Sequence, residues 1–94
     1  MYDSGSNIEL IKMARKFNEY VETLRSQNLP LTDEKYVKVI ALLKPVYIEL
    51  YKTKQRKLLK RYFSPQTRKK IIEPFLKTYI EIGLVLRDAG LLQE

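Results

Sequence analysis

The chain has 94 residues, the length of one domain, and carries 18 basic against 11 acidic residues for a formal charge of +7. It contains no cysteine, histidine or tryptophan. Disulfide scaffolds, thiolate zinc sites, cysteine nucleophiles and histidine-based triads are therefore excluded.

The first predicted helix opens on Ser6 and Glu9, which have the spacing of a capping box. Residues 1–6 before it, Tyr2 included, read as a mobile tail. Leu10, Ala14, Phe17, Val21 and Leu24 then recur at helical spacing and form one apolar stripe. Asn28-Leu29-Pro30 stops this helix.

The second helix is expected from Thr32, with Asp33 and Glu34 in its first turn. Leu31 and Tyr36 have the spacing of a hydrophobic staple. Between Tyr36 and Tyr51, 12 of 16 residues are apolar, which predicts a central element touched on several sides. Pro45 removes a backbone hydrogen bond, so a kink or short break is expected there. The helix then resumes to about Tyr62. On a wheel of about 100° per residue, Lys52, Lys54, Arg56, Lys57, Lys60 and Arg61 cover a broad cationic face. Leu58, Leu59 and Tyr62 form a narrow apolar seam opposite.

Ser64-Pro65 announces a third helix, with Ser at the N-cap and Pro at the first helical position. Pro74 should kink or restart it. Ile72, Phe75, Tyr79, Ile82 and Leu86 continue the buried stripe, with Leu76 and Ile80 beside it. Gly90 suits a left-handed cap, and Leu91 can fold back on Leu86. No segment alternates with period two. The expected fold is all-α: a small bundle of three main helices in one domain, 1–94, two of them proline-interrupted.

Charge is distributed unevenly along this frame. Residues 1–28 and 29–49 are each neutral, residues 50–72 carry +9 with no acidic residue, and residues 73–94 carry −2. One 23-residue segment thus more than accounts for the imbalance. Neutralising several phosphates would give strong, salt-sensitive binding that is tolerant of sequence. Lys52, Lys54, Arg56, Lys57, Lys60, Arg61, Arg68, Lys69 and Lys70 are the candidate nucleic-acid contacts. The same face would also suit an acidic protein surface or simple solvation.

Other chemistry finds little support. The three glycines, Gly5, Gly83 and Gly90, make no phosphate loop. Glu19 and Glu22 are helical neighbours and read as a solvated face rather than half of a metal site. The chain is expected not to be an enzyme and to need no cofactor or metal. Tyr47, Tyr51 and Tyr62 flank the cations and could stack on bases, but core packing is the better reading. The apolar surplus at Val37, Ile40, Leu43, Val46, Tyr47 and Ile48 is the candidate partner interface, for a larger protein or a second copy. There is no transmembrane-length apolar run and no secretory n-region, so work inside the cell, in the cytoplasm, is expected.

Residues 47–60, Tyr-Ile-Glu-Leu-Tyr-Lys-Thr-Lys-Gln-Arg-Lys-Leu-Leu-Lys, resemble the basic helix in the helical domain of archaeal GINS replication subunits. The small β-domain such subunits usually carry is missing. Size and charge are similar to small subunits bound to crenarchaeal replicative DNA polymerases, and to the all-helical small subunits of type III CRISPR effectors. These resemblances imply a non-catalytic helical part lying against nucleic acid within a larger complex. The expectation is an accessory subunit, most simply of DNA replication. A stand-alone helix-turn-helix regulator is the alternative, its recognition helix starting at Gln66, Thr67, Arg68, Lys69 and Lys70.

Overall fold

The computed structural model describes residues 4–92, which form helices and turns without any strand. The helices are α1 (Ser4–Ser26), α2 (Glu34–Gln55), α3 (Leu59–Tyr62), α4 (Pro65–Thr67) and α5 (Glu73–Asp88). A π turn, Arg68–Ile72, joins α4 to α5 without a break. The architecture is therefore the expected all-α bundle of three long rods: α1, α2, and the composite α4–π–α5.

The three rods alternate in direction. Asn18 of α1 reaches Ile71 and Arg25 reaches Glu81, so α1 and α5 run parallel. Tyr79 of α5 reaches Ile40 of α2 while Lys54 reaches Glu73, so α2 runs antiparallel to α5. Their shared core is the stripe read from the sequence. Ala14, Phe17, Val21 and Leu24 of α1 are buried, as are Phe75, Tyr79, Ile82 and Leu86 of α5. Aromatic rings tie the rods together. Phe17 meets Phe75 edge-on at 5.1 Å, and Tyr79 stacks on Tyr47 at 4.3 Å. Such pairs add about 0.5–1.5 kcal/mol each beyond the burial itself. The Tyr79 hydroxyl donates to the Ile40 carbonyl at 2.9 Å. Burial pushes this phenol up to about 12, and the Tyr47 phenol adds to the effect.

Three helices end in the same way. In each, a residue with positive φ follows the helix: Asn28 (58°), Lys57 (60°) and Gly90 (72°). The next residue is a leucine in every case. Its N–H returns to a carbonyl five residues back: Leu29 to Leu24, Leu58 to Thr53, and Leu91 to Leu86. This is the Schellman arrangement, which satisfies the orphan carbonyls of a helix end. Asn and Gly adopt this backbone readily; lysine does so at a cost of about 1 kcal/mol.

Several expectations need correction. α1 already includes Ser4, so Ser6 lies within the helix and is not its N-cap. Residues 4–6 are helical; the remainder of the expected tail, Tyr2 included, lies outside the described residues. The N-cap of α2 is Asp33, which accepts from the Lys35 N–H, and Thr32 stays in the turn. α2 passes through Pro45 without a break. The carbonyl that loses its donor belongs to Ala41, which is exposed, so water can take the place of the missing N–H. α2 also ends at Gln55 rather than near Tyr62, because the chain turns at Lys57.

Pro74 acts differently. It cannot donate to Lys70, and its ring would strike that carbonyl in a regular helix. The wider turn just before it moves the carbonyl aside, with the Glu73 N–H bonding Arg68 at π spacing. The Asn18 side chain donates to the Ile71 carbonyl inside this turn, at 3.2 Å.

α2 is not surrounded. Tyr36, Val39, Ile40, Leu43, Val46 and Leu50 face the core, but Leu42 is 69% exposed and Ile48 36%. Tyr36 is fully buried, and its hydroxyl has no hydrogen-bond partner. Burial pushes its phenol upward, with Arg25 opposing and Asp33 reinforcing the shift.

Candidate nucleic-acid interface

The expected amphipathic basic half-helix does not exist as one rod. Lys52 and Lys54 lie in the last turns of α2, Arg56 is its C-cap, and Lys57 is the left-handed residue that reverses the chain. Lys60 and Arg61 belong to α3, and Arg68, Lys69 and Lys70 to the π turn. The wheel that aligned Lys52 with Lys60 fails because the helix stops between them.

The folded chain nevertheless collects these residues at one end of the bundle. Lys54 Nζ lies 3.7 Å from Glu73 Oε1, so the end of α2 stands beside the start of α5. The chain reverses between them over residues 56–64, and α4 and the π turn then lead into α5. Of the expected seam, Leu59 is buried and Tyr62 packs against the core, while Leu58 is only partly buried; Phe63, outside that seam, is buried as well. That anchoring leaves the cations outside. Ser64 caps α4 by accepting from the Thr67 N–H, with Pro65 in the first turn. The capping expected from Ser64-Pro65 is thus present.

Of the nine predicted cations, eight are exposed; Arg68 is only partly so. Its Nε is buried and has no hydrogen-bond partner, which makes Arg68 partly a structural residue. Lys54 is tied to Glu73. Among the described residues, Lys52, Arg56, Lys57, Lys60, Arg61, Lys69 and Lys70 are in no ion pair. Elsewhere the pattern differs: Arg25 pairs with Glu81 at 2.9 Å and Lys38 with Glu34 at 3.0 Å. The C-terminal end of α2 presents carbonyls here, so Lys52 and Lys54 also complement its dipole.

The aromatics near the cations divide. Tyr47 is half-buried between Tyr79 and Tyr51, and burial pushes its phenol up, with Tyr51 adding to the shift. Tyr51 closes this stack on the outside, 5.6 Å from Tyr47, and its hydroxyl accepts from the Gln55 amide. Tyr51 alone of the three presents substantial ring area to solvent.

The candidate partner interface divides. Ile40, Leu43 and Val46 are core residues, because their side of α2 faces α1 and α5. Val37 and Tyr47 pack partly against that core, and Ile48 remains exposed. Other exposed apolar positions include Leu42 on α2, and Ile80 and Leu84 on α5.

At the alternative recognition helix, the preceding α3 is a single turn of four residues, Ser64 is bonded to Thr67, and Gln66, Lys69 and Lys70 are exposed while Thr67 and Arg68 are only partly so. Among the described residues no cluster of acidic side chains could hold a metal ion, and no helix is long and apolar enough to cross a membrane. No protein-family model, curated protein or solved structure matches the chain.

Proposed function

We propose that this chain is a non-catalytic accessory protein that lies on the phosphate backbone of DNA through its basic end. One observation carries the reading. Seven exposed cations, from the end of α2, the reversal after it and the π turn, stand without ion pairs among the described residues, while Lys54 is paired with Glu73. Solubility alone needs no such segregation, since mixed charges serve it as well. An end built of two helix termini, a one-turn helix and a π turn is not one continuous rod. It suits phosphates along a backbone rather than a rod laid in the major groove. The function is then to raise the nucleic-acid affinity of a larger complex, most simply one of replication, without reading sequence.

The test is binding of the purified protein to labelled single- and double-stranded DNA across a salt series, with unrelated DNA as competitor. Affinity should fall steeply with salt, by several released counterions, and competitors of any sequence should be equivalent. Absence of binding at moderate salt would point to an acidic protein partner instead. Strong sequence preference would favour a regulator.

A further inference from the structure

The side of the α2–α5 pair away from α1 is open. Between the two helices runs a groove of about 820 Å³, floored by Ile40 and Tyr79. Ile80 (41% exposed) and Leu84 (46%) stand one turn apart on its α5 wall, and Leu91 and Leu92 close one end. Lys44 projects from the α2 wall and Arg87 from the α5 wall. Both are exposed, and neither is in an ion pair among the described residues. Among the described residues no carboxylate lines the groove.

We infer that this groove takes one amphipathic helix from a partner protein, with carboxylates flanking its apolar face. The shape calls for a helix, because a rod laid between two antiparallel helices completes a four-helix bundle. The flanking charge follows from Lys44 and Arg87 on opposite walls. The same charges oppose a second copy seated groove to groove, which would bring four cations together. Gly83 is an independent sign. A Cβ built on it meets nothing within 4 Å, so packing inside this chain gives no reason for glycine. Glycine in a helix interior is unfavourable relative to alanine, and here it leaves room for an incoming backbone. This assignment rests on the accessory-protein reading and names its docking surface. That surface is distinct from Val37, Ile40, Leu43, Val46, Tyr47 and Ile48 taken as a set, of which only Val37, Ile40 and Tyr47 line it.

The experiment is selection of a displayed helix library with fixed leucines at i, i+3, i+4 and i+7 and random flanks, using the intact protein as bait. Selected helices should be enriched in Asp and Glu at the flanks. A synthesised winner should bind about tenfold or more tighter than its Lys-flanked counterpart. The Lys44→Glu/Arg87→Glu double variant should invert that preference. Gly83→Trp should abolish binding of the helix while DNA affinity and melting temperature hold. Leu84→Glu, at an exposed position, should give the same loss if the tryptophan disturbs folding. Three results would overturn the assignment: no flank preference, binding that survives both groove variants, or a wild-type dimer that Gly83→Trp dissociates. Loss of DNA binding with the helix result intact would remove only the nucleic-acid reading.

Discussion

The two chain reversals of the bundle use one backbone solution with opposite chemistry. Residues 27–33 turn at Asn28, with Pro30 and the Asp33 cap following. Residues 56–64 turn at Lys57, with cations on both sides and Ser64 as the next cap. Asparagine tolerates the left-handed conformation; lysine has no local reason to adopt it. The first reversal is thus built for stability. The second retains a charged residue at some conformational cost, in the one segment without an acidic residue. A strained charge at the centre of a charge cluster is what an electrostatic surface would keep and a purely structural turn would lose.

The sharpest way to break this contrast is charge reversal at each turn. Arg56, Lys60, Arg61 and Lys70 changed together to Glu should weaken DNA binding about 100-fold or more and flatten its salt dependence. Lys35 and Lys38 changed to Glu, near the other turn, should leave affinity within about twofold, since neither lies at the basic end. Fluorescence anisotropy across salt concentrations reads both.

Tyr79 belongs to neither turn and provides a baseline for the whole core. Its phenol is neutral in both states below pH 10, so its contribution is complete there. It is lost as pH rises from 10, the unfolded value, through about 12, the folded one. Unfolding free energy from urea titrations should fall across that window, by at most about 3 kcal/mol from this group. Tyr79→Phe should start less stable, lacking the bond to Ile40, and should flatten the alkaline slope.

The two ties from α1 to the last rod should differ in the same assay. Asn18→Ala removes a part-buried donor from the π turn and should cost about 1–2 kcal/mol. Arg25→Ala removes an ion pair whose side chains are about half exposed, and should cost less than about 0.5 kcal/mol. The smallest effect separates the turns themselves. Lys57→Gly should stabilise by about 0.5–1 kcal/mol, whereas Asn28→Gly should change stability by only a few tenths.

Much of the fold was legible because it follows local periodicity. The buried stripes of α1 and α5, the Ser64-Pro65 start and the Gly90 cap all rest on spacing within a few residues. The Lys57 turn was not legible, since lysine carries no left-handed signal and Leu58 gives no warning that its N–H will return to Thr53. Pro45 does not break α2, one of the two outcomes expected there: an exposed flank lets a helix continue through a missing bond, and exposure is a tertiary property. The composition of the basic site was readable from charge alone, but its shape was not. Lys52 and Lys60 share an end of the molecule through a chain reversal, not through a helical face. Half of the candidate partner surface is core, because an all-round apolar helix does not declare which side its neighbours cover. Ile40, Leu43 and Val46 proved to be inside, and Leu42 outside.

The central claim is that phosphates meet the reversal between α2 and α5. Backbone amide chemical shifts during titration with a short DNA duplex at moderate salt test it most directly. The account predicts that the largest changes fall on residues 52–61 and 68–70, with residues 27–38 unmoved. Changes centred on the Asn28 turn or along the α2–α5 groove, or no changes at all, would contradict it.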